Sequence, residues 1–276
     1  MKIKEINIWN SNDPIIKEGK DFIPWMSVHK AENPNGKCVL VCPGGGYAGV
    51  CDSYEGEQFA DFYNSFGVDA CVLRYTTIET NHGKPVYPKP FVEATRAMRF
   101  IREYSQELGI NCEKLGIQGF SAGAHLAGWV STKFNDKLSH MDDLFHKVSA
   151  RPDFAILCYG VLDLRLITPY GVTGVNLLGE GATDQEVDAY SNVENVTKDT
   201  PPTFLMHTQA DQIVPVMNSV LYYKKMIENG VKGELHIFQP GPHGIGMGDR
   251  EWIPEEEQKY LSFWSNNLKN WLLNMI

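Results

Sequence analysis

The sequence predicts an α/β fold, with a mostly parallel central sheet of about eight strands and helices on both faces. Two observations predict it. Short continuous apolar runs such as residues 37–42 (KCVLVC) and 68–75 (VDACVLRY) have the look of strands buried on both sides. Stretches with helical spacing lie between them, and regular alternation of strand and helix implies parallel strands joined by crossover helices.

In chain order, residues 2–9 (KIKEINIW) alternate polar and apolar, as an edge strand does, and residues 22–31 supply a hairpin partner. The strand at 37–42 is followed by a helix over 55–66, carried by Phe59, Phe62, Tyr63 and Phe66 and stopped at Gly67. After the strand at 68–75, residues 89–108 read as one long amphipathic helix. Its stripe runs through Phe91, Ala94, Met98, Ile101, Tyr104 or Ser105, and Leu108, with Gly109 at its end. A strand at 114–119 leads into a helix at 121–132, and residues 153–159 (DFAILCY) form the next strand. Residues 161–200 read as irregular and rich in glycine, threonine and polar groups. Strands at 202–208 and 234–239 then flank a helix at 216–229, and a terminal helix spans 255–275. Residues 1–276 are thus expected to be a single domain with a short, irregular, cap-like insertion at about 161–200.

Composition narrows the function classes. The 276 residues carry a net charge of −9, with lysines and arginines scattered singly or in pairs, which disfavours nucleic acid and anionic membranes as partners. No apolar run approaches the roughly 18 residues a membrane helix needs, and the N-terminus lacks the pattern of a secretory signal. Six cysteines are too few for a disulfide framework and read as reduced thiols of a cytoplasmic protein. No cluster of histidine, cysteine and carboxylate has metal-ligand spacing, so neither metal nor cofactor is expected. Both a monomer and a homo-oligomer fit this composition.

In open parallel sheets the chemistry gathers at the carboxyl ends of the strands. Four loops there carry suggestive residues: Pro43 to Tyr47 (PGGGY), residues 119–123 (GFSAG), Gln209 to Pro215 (QADQIVP) and Pro240 to Gly246 (PGPHGIG). Ser121 stands between two glycines where an apolar run gives way to small helix-forming residues, as expected of a side chain presented on a tight turn. A serine hydroxyl is a poor nucleophile until an adjacent base takes its proton. Imidazole suits that task, and an acid behind it fixes its tautomer and stabilises the imidazolium.

GFSAG resembles the GxSxG nucleophile elbow of the α/β-hydrolases, and the order Ser121, Asp211, His243 matches that fold's order of nucleophile, acid and histidine. Through PGGGY, EATRAMRFIRE, GFSAGAHLAG and ADQIVPV followed by PHG, residues 37–250 resemble the small esterases known as acetyl-xylan esterases or sugar-ester hydrolases. These are relatives of the hormone-sensitive-lipase and prolyl-oligopeptidase branches. GxSxG alone is a weak signal, but four elements in order at strand ends are specific. The resemblance implies Ser121 as nucleophile, His243 as base and Asp211 as acid. The oxyanion hole is expected from the N–H of Ala122 and of Gly45 or Gly46. Pro43 stands where many members have the histidine of an HGGG loop.

Each assignment has a rival. Asp163, after the preceding strand, competes with Asp211 as the acid. His125 lies one helical turn beyond Ser121 and reads as a packing or hydrogen-bonding residue. His207 falls inside a strand, His236 alternates with apolar neighbours, and His29, His82, His140 and His146 have no partner pattern. Gly244, Gly246 and Gly248 lack the strand and the acidic partner of a dinucleotide loop and read as a flexible loop around His243. Trp129 reads as core. Tyr47, beside the glycine loop, is either a sugar-stacking platform that binds substrate or a packed aromatic.

The expected activity is hydrolysis of small acyl esters, acetyl above all and borne by sugars as the resemblance implies, through an acyl-enzyme. A small peptidase or amidase of the prolyl-oligopeptidase-like branch is the alternative within enzymes. A binding module that has lost catalysis is a third reading, against which the intact set of three residues speaks.

Overall fold

A computed structural model describes residues 2–9, 22–140, 147–167 and 171–276. His146 lies outside the described residues, as does the side chain of His140. Eight strands form one sheet: β1 (Lys2–Asn7), β2 (Trp25–His29), β3 (Lys37–Cys42), β4 (Asp69–Arg74), β5 (Lys114–Phe120), β6 (Phe154–Cys158), β7 (Thr203–Thr208) and β8 (Gly233–Phe238), in the order β1-β2-β4-β3-β5-β6-β7-β8. β1 and β2 pair antiparallel, as do β2 and β4, and every other pairing is parallel.

Alternation along β3 shows why the apolar runs are continuous. Cys38, Leu40 and Cys42 pack on one face, under α2 (Lys89–Glu103) and α4 (Ala122–Lys133). Val39 and Val41 pack on the other, against Phe59 and Tyr63 of α1 (Gln58–Asn64) and against Trp264 and Leu268 near the C-terminus. A strand covered on both sides has no polar face to show.

Three expectations meet a more broken chain. The helix over 89–108 ends at Glu103. Tyr104 leaves helical geometry, and a single further turn, α3 (Ser105–Leu108), closes on Gly109 at φ +73°. The terminal helix divides at Ser262 into α8 (Glu255–Leu261) and α9 (Phe263–Asn274). Residues 161–200 hold α5 (Gly171–Leu178), α6 (Asp184–Tyr190) and two short 3₁₀ turns, Leu164–Leu166 and Asn192–Asn195. Glycines at 171 and 174 and Thr173 lower the intrinsic helix propensity of α5 and hid it from a propensity reading. α6 carried a legible start: Thr183 accepts the N–H of Glu186, and the Glu186 carboxylate accepts the N–H of Thr183, a capping box. α7 (Met217–Glu228) joins β7 to β8.

Candidate active site

The loops after β3, β5, β7 and β8 converge at the carboxyl edge of the sheet. Ser121 takes φ +51° and ψ −118°, a conformation rare for a residue with a Cβ. The turn is held on both sides: the Ser121 N–H donates to Cys158 O at 3.0 Å, and Ser121 O accepts from the N–H groups of Ala124 and His125, both at 3.1 Å. The flanking glycines are there for close approach. A Cβ on Gly119 would lie 2.1 Å from Gly123 O, and one on Gly123 would lie 2.1 Å from Cys42 O. Only a residue without a side chain lets helix α4 start this close to β3 and β5.

His243 comes from the loop after β8 and bridges two of the predicted residues. Its Nε2 is 2.9 Å from Ser121 Oγ, and its Nδ1 is 2.7 Å from Asp211 Oδ2. With the proton on Nδ1, the imidazole donates to Asp211 and offers Nε2 to the serine hydroxyl. The Asp211 Oδ1 atom also accepts the N–H groups of Ile213 and Val214 at 2.9 and 2.8 Å. Burial alone would push the Asp211 carboxyl up, but hydrogen bonds from His207 and His243 outweigh it and hold the group well below the usual carboxylate range. The rival acid, Asp163, is engaged elsewhere. It accepts the N–H of Arg165 at 3.0 Å and its guanidinium Nε at 2.9 Å, capping a 3₁₀ turn.

The glycine loop lies opposite. Gly45 and Gly46 adopt φ +130° and +62°, and both line, with Ser121 and His243, a cavity of about 420 Å³. Ala122 opens α4, and the first N–H groups of a helix have no partner within it. Ile167, Gly171, Val172 and Thr173 of the 161–200 segment form part of the cavity wall, with Tyr54, Ile213 and Val214 among the others. Asn176 of α5 donates to Gly46 O at 2.8 Å and so ties that segment to the glycine loop.

Tyr47 corrects one expectation. Its ring is fully buried and its hydroxyl is 2.9 Å from His125 Nδ1, so it offers no face to a sugar. The packed-aromatic alternative is the one its environment fits. Its side chain packs in the core edge-on to Tyr75 and His125, where the backbone takes φ +57°. His125 is itself buried, with Nε2 2.7 Å from Tyr190 O, and burial lowers its pKa to about 4. Trp129 is core, stacked on Phe91 at 4.4 Å.

Three residues of the neighbourhood escaped the sequence reading. His207, inside β7, places Nε2 3.3 Å from Asp211 Oδ2 and 3.0 Å from Val214 O, and its Nδ1 is 2.8 Å from Ser219 Oγ. Glu55 is buried beneath the glycine loop, and Tyr159 packs edge-on against His243 with ring centroids 5.3 Å apart. Glu55 left a trace: it falls four positions before Phe59, on the apolar stripe of the helix expected over 55–66, where a carboxylate is out of place. Nothing local in the sequence marks His207 or Tyr159.

The fold and the relatives of the chain together define its class, the proteins of the α/β-hydrolase fold. A profile of the BD-FAE family matches residues 26–226. The crystal structure of an acetyl ester-xyloside bifunctional hydrolase from Caldicellulosiruptor lactoaceticus superposes with a TM-score of 0.82 at 35% identity, covering 96% of each chain. Among curated sequences, endo-1,4-beta-xylanase B of Butyrivibrio fibrisolvens is 35% identical over 90% of this chain and 38% of its own length. The acetylxylan esterase of Xylanibacter ruminicola is 31% identical over 87% of this chain and 46% of its own length. The chain therefore spans less than half of either curated relative. It belongs to the BD-FAE family.

Proposed function

We propose that this chain is a serine esterase that removes small acyl groups, acetyl above all, from sugars. The observation that carries the reading is the hydrogen-bonded series Ser121–His243–Asp211, with contacts of 2.9 and 2.7 Å at the ends of three strands. In this reading His243 takes the Ser121 proton as Oγ attacks the ester carbonyl, and the imidazolium is stabilised by Asp211. The N–H groups of Ala122 and of Gly45 or Gly46 hold the oxyanion. His243 then returns the proton to the leaving alcohol. Water, activated by the same imidazole, attacks the acyl-enzyme and releases the carboxylic acid and free Ser121.

The sugar ester and the acetyl group are supported by the printed names of two relatives, an acetylxylan esterase and an acetyl ester-xyloside hydrolase. The cavity of about 420 Å³ beside Ser121 and His243 is within the range for small-molecule sites. The 161–200 segment acts as a short cap over that cavity within a single domain. The six free cysteines are in keeping with work in the cytoplasm.

The test is a panel of aryl esters and acetylated sugars of graded acyl length, assayed with wild type and Ser121→Ala. Acetyl and propionyl esters should exceed octanoyl in kcat/KM, because a methylene left in water gains nothing over acetyl and one forced against the pocket wall clashes with it. Ser121→Ala should abolish turnover of every ester. Faster cleavage of octanoyl than of acetyl esters below saturation would overturn the short-acyl reading.

A further inference from the structure

Glu55 is held in a way the serine mechanism does not explain. It is only 2% exposed and sits in the middle of a π-helical turn, Ser53–Glu57, just before α1. Single π turns inside helices frequently mark functional sites. Both carboxylate oxygens are committed. Oε2 accepts the N–H of Gly44 at 2.7 Å, and Oε1 accepts the hydroxyl of Tyr159 at 2.8 Å. The Tyr159 oxygen in turn accepts the N–H of Gly246 at 3.2 Å, so its one hydrogen is directed to Glu55. Tyr159 holds φ +38°, a strained value for a residue with a side chain, and its ring stands edge-on to His243 at 5.3 Å. One carboxylate thus joins the glycine loop after β3, the end of β6 and the loop after β8 that carries His243. Among the described residues no lysine or arginine makes an ion pair with it, and burying an unpaired carboxylate is expensive.

We propose that Glu55 is a positioning residue, whose carboxylate fixes the oxyanion loop through Gly44 and the His243 loop through Tyr159. The inference rests on the reading of Ser121 and His243 as the reacting pair. Its logic is a count of donors. Two hydrogens, from Gly44 N and Tyr159 Oη, converge on the side chain, and a carboxylate has an acceptor oxygen for each. A glutamine has one acceptor, so its amide group faces either the Gly44 N–H or the Tyr159 oxygen, and one of the two hydrogens loses its partner. The backbone leaves no slack, since a Cβ on Gly44 would lie 2.8 Å from Oε2. A displacement of about 1 Å at either loop is enough to cost on the order of 10²-fold in rate. Burial pushes the Glu55 carboxyl up to about 7, against the pull of its bonds from Tyr159 and Gly44, so the assay is run at pH 8 where it is ionised.

The experiment measures kcat and KM for an aryl acetate with wild type, Glu55→Gln, Tyr159→Phe, the double variant and Ser121→Ala, with active sites counted by burst titration and folding followed by thermal unfolding. Glu55→Gln should lower kcat by about 10- to 100-fold with KM within about threefold of wild type. In the Tyr159→Phe background the same change should lower kcat by less than about threefold, because only the Gly44 hydrogen then needs an acceptor. A wild-type kcat in Glu55→Gln overturns the inference whatever happens to its melting temperature, and so do fully multiplicative effects in the double variant. Should Glu55→Gln fail to fold, Tyr159→Phe decides: a lowered kcat at unchanged KM supports the inference, and a wild-type kcat overturns it. Full turnover by Ser121→Ala would bring down the serine reading and this inference together. Loss of turnover there with a wild-type Glu55→Gln brings down this inference alone.

Discussion

Two aspartates separate at the residue scale by what surrounds them. Asp211 and Asp163 both follow parallel strands, and both are well buried. Asp211 faces two imidazoles, and Asp163 faces a guanidinium and a backbone N–H. Asp211→Asn should therefore lower kcat by about 10⁴-fold, since the amide no longer holds the Nδ1–H tautomer of His243. Asp163→Asn should keep kcat, since the amide oxygen still caps the turn, and should lose no more than about 1 kcal/mol of stability with the charge that faces Arg165. Steady-state kinetics and urea unfolding of the two variants check the pair, and an inactive, stable Asp163→Asn would reverse the assignment. Asp211 itself was legible from its loop and from its position ahead of His243. His207 was not, because a histidine inside a strand declares no partner until β7 is folded against the loop that follows it.

Two contacts between elements set the geometry of the pocket. The first is the approach of α4 to β3 at Gly123, whose missing side chain leaves room for Cys42 O. Gly123→Ala should destabilise the fold by about 1–3 kcal/mol or more, as overpacking against backbone does. Wild-type urea resistance in that variant would mean that α4 can withdraw from β3 at no cost. The second is the bond from Asn176 in α5 to Gly46 O. Its loss in Asn176→Ala removes one hydrogen bond, about 0.5–1.5 kcal/mol, from the glycine loop. The expected result is a fall in kcat/KM of up to about tenfold with little change in melting temperature; an unaltered kcat/KM would detach α5 from the chemistry. The glycine spacing around Ser121 was readable because the elbow demands it locally. α5 was not, because its glycines and threonine argue against a helix and only packing over the pocket makes one.

Over the whole molecule, pH acts on stability through carboxyls of opposite kinds. Glu55 and Glu93 are buried, and burial raises each from 4.5 to about 7 against its hydrogen bonds. Between those values the folded chain keeps protons that the unfolded chain has released, so stability falls as pH rises through that window. Each group is worth on the order of 3 kcal/mol. Asp211 works in the other direction, and so does buried His125, whose pKa of about 4 adds stability as pH rises from 4 to 6.5 and offsets about one of the two glutamates there. The Asp211 carboxyl is held below the ordinary 3.8, so its contribution is present above that value and is lost as the solution is acidified. Urea midpoints taken from pH 3 to 8 should peak near pH 5 and decline toward pH 8. A midpoint still rising between pH 5 and pH 8 contradicts the two buried glutamates. Among the described residues, no helix is long and apolar enough to cross a membrane.

By itself, the sequence determined the alternation of strand and helix, the eight-stranded sheet and the loops in which Ser121, Asp211 and His243 lie. Each of these rests on a local rule: apolar runs for buried strands, 3.6-residue spacing for helices, glycines at a tight turn. The tertiary structure alone decided which groups meet. It brought His207 to the same Asp211 oxygen that His243 meets, packed Tyr47 in the core and set Glu55 between Gly44 and Tyr159, residues 11 and 104 positions away along the chain. The physical reason is that local propensity fixes the backbone of an element, whereas a buried polar group finds its partner only when distant segments pack and water is excluded.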